Sequence, residues 1–147
     1  MDWDEYIKWG KEAVVWGSEY RKNLRNYPVR SQNKPGETFN SIPSNPPENP
    51  ESIEQIFDDF KKIILPGVTH WQHPRFFAYF PANAAPASVF AEILTNTMGL
   101  QCMLWQTSPS ATELEEKVIE WLRISLDIPK GFGGIIQDTA SSATLTA

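Results

Sequence analysis

Between Phe76 and Thr107 the chain runs for 32 residues with one charged side chain, Glu92. The same stretch holds Phe76, Phe77, Tyr79, Phe80, Phe90, Cys102 and Trp105. Sequence this poor in charge has to be covered, because apolar surface left in water is unfavourable. Three covers are open: a pocket wall, an interface with another chain, or a plain core. A membrane span is not among them. Pro81 and Pro86 break the segment, and no apolar run in the chain reaches the roughly 18 residues that a span needs. The pattern predicts a loop leading into a helix from Pro86 to Met98, stopped by Gly99.

The rest of the composition narrows the class. At 147 residues and 16.7 kDa the chain is about one domain's worth of sequence. Hydrophobic residues at 41% and charged residues at 21% suit a folded chain. A net charge of −5 and a pI near 5.0 give no basic footprint for nucleic acid and no polybasic surface for a membrane. The opening Met-Asp-Trp-Asp-Glu-Tyr lacks the basic and apolar regions of a secretory signal. Cys102 is the only cysteine, so no internal disulfide is expected and a reducing, cytoplasmic setting is. Six Trp, eight Phe and twelve Pro make an aromatic load that a short chain must hide.

Three further helices are expected. The first spans Trp3 to Asn26, with Asp2 as its N-cap and Glu5 three residues on. Trp3, Ile7, Gly10, Val14 and Gly17 share one stripe, and Tyr6, Trp9, Ala13, Trp16 and Tyr20 the adjoining one. A helix so widely apolar is either a terminal helix on its own core or a helix packed across a second subunit. Gly10 and Gly17 suggest close approach by another backbone. Residues 28–50 carry six prolines and read as an ordered or semi-rigid surface crossing. The second helix is expected over Pro50–Leu65, capped by Asn49 and ended by Pro66-Gly67, with Ile53, Ile56, Phe57, Phe60, Ile63 and Ile64 as a core stripe. A later helix is expected over Pro109–Leu126, capped by Ser108. Leu114, Val118, Trp121, Leu122 and Ser125 are its buried side, Glu113 and Lys117 an i, i+4 pair, and its glutamates a solvated face.

The tail reads as a short strand, Gly133–Gln137, followed by small hydroxyl residues that open a helix. A domain seldom ends on an opening helix, so the chain is expected to be the front part of something longer. That strand–turn–helix is a candidate anion site, since a helix N-terminus offers free N–H groups and Thr139 and Ser141 add hydroxyls. Asp138 opposes an anion there. His70 and His73 flank Trp71, but they lack the further ligands that a metal site needs. Nothing orients Cys102 with either histidine as a nucleophile and base. No Walker sequence and no G-x-G-x-x-G are present.

Five motifs in order carry a resemblance over essentially the whole chain. These are Gly10-Lys11-Glu12; Leu65-Pro66-Gly67-Val68-Thr69-His70-Trp71; Phe76-Phe77-Ala78-Tyr79-Phe80-Pro81; Ser108-Pro109-Ser110-Ala111-Thr112-Glu113-Leu114-Glu115; and Ile136 through Thr144, which is similar to I-Q-G-S-A-S-E-A-T. The chain resembles the N-terminal third of group II pyridoxal-phosphate-dependent decarboxylases, especially the aromatic-L-amino-acid decarboxylases. The resemblance implies an α/β fold of the aspartate-aminotransferase type (fold type I), of which this chain supplies a mostly α part. Residues 1–80 would be a helical segment wrapping the partner subunit of a homodimer, and 81–147 the start of the large domain. Pyridoxal 5'-phosphate is the implied cofactor, its phosphate held by Ala140 and Ser141 with Thr139. Trp71, Tyr79, Phe80 and Pro81 would line the substrate pocket, and Gln101 and Met103 would meet the substrate ring from the partner subunit.

The implied reaction converts an aromatic L-amino acid to its amine and CO₂. The chain departs from the family at Ala82, where a hydroxyl residue is frequent, and at Asp138, where Gly is usual. The Schiff-base lysine, the acidic partner of the pyridine nitrogen and the stacking histidine belong downstream of Ala147 in the family. No catalytic residue is therefore expected within these residues, and activity would require the remaining C-terminal portion. The competing readings are a non-catalytic helical interaction module, a relative acting on an acidic amino acid, and an aldehyde-forming relative. The absence of a basic residue between Phe76 and Thr107 argues against the acidic substrate.

Overall fold

The computed structural model describes residues 1–80 and 84–147, which form two compact units, Met1–Ala84 and Ala85–Ala147. Among the described residues all regular structure is helical.

The first unit opens with α1, Trp3–Lys22. Asp2 caps it as expected, its carboxylate accepting the Glu5 N–H at 2.8 Å. The helix ends four residues before the expected Asn26. There the Asn23 side-chain amide and backbone N–H both turn onto the Glu19 carbonyl, and Leu24–Asn26 tighten into a 3₁₀ turn. The proline-rich crossing holds a short helix, α2, Glu37–Ser41, that the proline spacing does not announce. It starts behind Gly36, whose φ of 86° a side chain would oppose.

The next helix, α3, spans Ile53–Asp59. Its cap is Ser52 rather than Asn49. The Ser52 hydroxyl accepts the Gln55 N–H at 3.2 Å while the Gln55 carbonyl oxygen accepts the Ser52 N–H at 3.2 Å, a reciprocal capping box. Regular α geometry also stops short of Leu65. Phe60–Ile64 open into a π turn, with the Leu65 N–H reaching the Phe60 carbonyl, and Leu65–Gly67 close as a 3₁₀ turn. Pro66 explains the change: it has no N–H for the carbonyl four residues back, and its ring crowds that carbonyl.

α1 and the α3 segment join through aromatic rings. Trp16 meets Phe57 edge-on at 6.1 Å and Phe60 at 5.1 Å, and Trp9 meets Phe57 at 6.0 Å. The Trp9–Trp16–Tyr20 stripe of α1 is therefore half-buried. On the adjoining stripe Trp3, Ile7 and Val14 are exposed. A Cβ built at Gly10 or Gly17 meets nothing within 4 Å, so the close backbone approach expected there is not made by the described residues. Close approach occurs at Gly67 instead, where a Cβ would lie 2.9 Å from the Thr38 hydroxyl.

The second unit holds α4, Pro86–Met98; α5, Pro109–Ser125; and α6, Ala140–Thr146. Gly99 ends α4 in the left-handed region, at φ 60°. Ser108 occupies the N-cap position of α5, but its hydroxyl does not cap. Its carbonyl accepts from both the Thr112 N–H and hydroxyl, each at 3.1 Å. Leu114, Trp121 and Leu122, expected to be buried, are exposed, and the half-buried side of α5 carries Thr112, Glu115, Val118 and Ile119. The expected strand Gly133–Gln137 is not formed. A ladder needs a neighbouring strand, and the described residues supply none.

Candidate functional site

Each unit holds a candidate local structure, and each is described by itself. In the first unit the helix-ending turn after Gly67 swings inward at His70, which is 2% exposed. Three holds fix that residue. Its N–H donates to the Val29 carbonyl at 2.9 Å. Its Nδ1 is 2.7 Å from the Tyr20 hydroxyl of α1. The Tyr27 ring lies against it with centroids 4.9 Å apart. His73, also buried, accepts the Arg75 N–H at its own Nδ1 at 3.0 Å, and its N–H returns to the His70 carbonyl at 2.9 Å. Burial pushes the His70 pKa below its usual value, with nearby His73 adding to the effect. Burial likewise pushes the Tyr20 phenol up, reinforced by Tyr27. Near neutral pH both groups are uncharged, so the phenol and the imidazole share a neutral hydrogen bond whose direction follows the His70 tautomer.

Trp71 follows directly and faces the other way. Its ring stacks on Tyr79 at 5.6 Å and 22°, and meets Phe76 at 4.9 Å. Tyr79 sits at φ 54°, a left-handed conformation unfavourable for a bulky side chain. Tyr79 is 87% exposed, and its ring contact is the Trp71 stack. Of the residues nominated for the substrate pocket, Trp71 and Tyr79 are thus brought together as one aromatic wall. Phe80 is 98% exposed. Pro81 lies outside the described residues, as does Ala82.

In the second unit Gln101 and Met103 lie on the irregular segment between α4 and α5, and both are exposed. Thr139, Ala140 and Ser141 open α6. The Thr139 hydroxyl accepts the Ser142 N–H at 3.2 Å and lies 2.9 Å from the Ser142 hydroxyl. Ala140 and Ser141 are the first two helical residues, so their N–H groups have no carbonyl within the helix to bond. Asp138 is exposed beside them. Free amides, hydroxyls and the positive end of a helix are the donor set that a phosphate monoester takes, so these residues fit the phosphate of the expected cofactor.

Two links here were not legible from spacing. Glu115 of α5 accepts the Ile136 N–H at 2.9 Å, tying the segment before Thr139 to the helix. Glu113 accepts the Trp105 indole N–H at 2.9 Å instead of pairing with Lys117. The α5 glutamates are therefore only partly the solvated face expected of them. Their partners lie 21 and 8 residues away, beyond the reach of helical periodicity. Tyr20 was visible only as one aromatic residue of a stripe, and its bond to His70, 50 residues on, had no local signal.

Comparison with known proteins places these features in a common frame. The chain is 41% identical to a tyrosine decarboxylase of Papaver somniferum over its whole length, and 40% identical to a phenylacetaldehyde synthase of Arabidopsis thaliana over 99% of it. In each case it spans about a third of the relative, 31%. The crystal structure of Catharanthus roseus tryptophan decarboxylase in complex with L-tryptophan superposes with a TM-score of 0.90 at 37% identity, over 96% of this chain and 32% of that one. The model of the pyridoxal-dependent decarboxylase conserved domain matches residues 35–147 and so takes in the His70–Trp71 turn, the aromatic wall and the Thr139–Ser141 turn. With that match over most of its length, and a helical architecture shared with solved decarboxylases of fold type I, the chain belongs to the pyridoxal-dependent decarboxylase family.

Proposed function

We propose that this chain is the N-terminal part of a decarboxylase that converts an aromatic L-amino acid to its amine and CO₂, acting only together with the remaining C-terminal portion. The observation that carries the reading is the Trp71–Tyr79 stack, an apolar planar surface on a turn pinned from beneath by His70. A planar ring laid on that surface gains dispersion and quadrupole interactions that an acidic side chain does not. When bound, pyridoxal phosphate supplies the electron sink for the electron pair that the departing carboxylate leaves behind. This chain's residues bind and orient. The Ala140 and Ser141 amides and the Thr139 and Ser141 hydroxyls hold the phosphate. Trp71, Tyr79, Phe80 and Pro81 exclude water around the substrate side chain. Gln101 and Met103 meet the ring from the partner subunit of a homodimer.

Residues 1–80 serve as the segment that wraps this partner, and 81–147 as the start of the large domain. Exposed Trp3, Ile7 and Val14 on one stripe of α1 support the first assignment, since contiguous apolar surface marks an interface. A cytoplasmic setting fits the free thiol of Cys102. No described helix is long and apolar enough to cross a membrane.

A second reading, oxidative conversion of the aromatic amino acid to an aldehyde, is favoured by the near-equal identity to a phenylacetaldehyde synthase. The test is to supply the complete polypeptide, loaded with pyridoxal phosphate, with L-Phe, L-Tyr, L-Trp and L-dopa. Amine with CO₂ supports the first reading. Aldehyde with CO₂, ammonia and hydrogen peroxide, formed from the amino acid, O₂ and water, supports the second. Neither product from any of the four rejects both.

A further inference from the structure

We propose that the Tyr20 hydroxyl of α1 is a positioning residue for substrate, acting through its hydrogen bond to His70 on the orientation of the Trp71–Tyr79 wall. This rests on the aromatic-substrate reading above. Tyr20 belongs to a helix on which Trp9 and Trp16 pack on Phe57 and Phe60, and its own ring stacks on Trp16 at 5.3 Å. The stack on Trp16 needs no oxygen. The hydroxyl instead reaches 2.7 Å to the Nδ1 of a buried imidazole. That imidazole adjoins Trp71 in sequence, and the turn is closed by the His73 N–H on the His70 carbonyl at 2.9 Å and the Phe76 N–H on the His73 carbonyl at 2.9 Å. A displacement of the His70 backbone is therefore carried into both Trp71 and Phe76, the two rings that meet at 4.9 Å. Tyr27, tilted at 47° against the same imidazole at 4.9 Å, offers no directional bond from its ring. The hydroxyl of Tyr20 thus tethers the His70 side chain, and through it this turn, to α1.

The experiment uses the complete polypeptide loaded with pyridoxal phosphate and compares Tyr20→Phe, His70→Asn and His70→Leu with the parent. Asn keeps an acceptor near the place of Nδ1, while Leu does not. Tyr20→Phe and His70→Leu should raise KM for the aromatic amino acid about tenfold with kcat within about twofold, the pattern of lost positioning in binding. His70→Asn should restore KM to within about threefold of the parent. A readout independent of turnover is amide hydrogen exchange at residues 69–77, expected to quicken about tenfold in Tyr20→Phe and not in Trp9→Leu, which loosens α1 elsewhere. Unchanged KM in Tyr20→Phe, or equal quickening in Trp9→Leu, overturns the proposal. A parent that makes no product counts against the decarboxylase reading. The exchange comparison still decides whether Tyr20 holds the wall.

Discussion

His70 carries the clearest pH signature. Its pKa is lowered in the folded chain by burial and by His73, while in the unfolded chain it returns to its ordinary value near 6.5. Between the lowered value and about 6.5 the unfolded state binds the extra proton, so stability rises with pH there. The contribution is fully present above about pH 6.5 and is lost as pH falls through that window. The groups against the ring, Tyr20, Tyr27 and His73, include no carboxylate that would hold a proton on it. Denaturant unfolding followed by tryptophan fluorescence should therefore show a midpoint that drops between pH 7 and pH 5, with a shallower drop in His70→Asn. An equal drop in both would assign the acid sensitivity elsewhere.

Elements respond through their ends and tethers. Ser52→Ala removes the hydroxyl side of the α3 capping box and should cost about 1 kcal/mol in thermal or denaturant unfolding. At the far end of α5 the Ile128 N–H bonds the Arg123 carbonyl and the Asp127 N–H the Ile124 carbonyl, a Schellman closure that places Asp127 at φ 54°. Asp127→Gly relieves that conformation and should stabilise by about 0.5–1 kcal/mol, a gain that Asp127→Ala should not reproduce. The Glu115–Ile136 bond makes a functional prediction. Glu115→Ala frees the segment before Thr139 and should weaken pyridoxal phosphate binding by the complete polypeptide several-fold, about three to ten, measured by titrating the apo form. Unaltered affinity would mean that the phosphate turn is set by other contacts.

Among the described residues, exposed large apolar side chains far outnumber buried ones. Leu24 is the one buried apolar side chain among the described residues, while Phe39, Phe77, Phe80 and Leu145 are each at least four-fifths exposed. Such surface calls for a cover, and the proposed homodimer offers one for the outer stripe of α1. Ile7→Lys with Val14→Lys should therefore shift the complete polypeptide from dimer to monomer in sedimentation velocity, with activity falling alongside. A dimer of unchanged stability would place the subunit contact elsewhere.

Much of the fold was legible because it is written locally. Asp2 before an aromatic helix, Pro86 and Gly99 around α4, Pro109 at the start of α5 and Thr139 before α6 act within one turn of chain. The family likeness was legible too, since motifs such as Phe76–Pro81 survive as strings. Sequence did not reveal the capping box at Ser52, because Asn49-Pro50 presents a competing start three residues earlier. It did not reveal the π turn, because periodicity assumes that every turn is regular. It overstated the strand at Gly133–Gln137, because pairing depends on a neighbour that strand propensity cannot supply. Local propensity and motif order thus marked most of the helices and the family, and nominated the candidate site residues. Tertiary packing settled which aromatic stripe of α1 turns inward, that Tyr20 reaches His70, and that Glu115 reaches Ile136. These contacts join residues far apart in the chain, and only folding brings such partners within hydrogen-bonding distance.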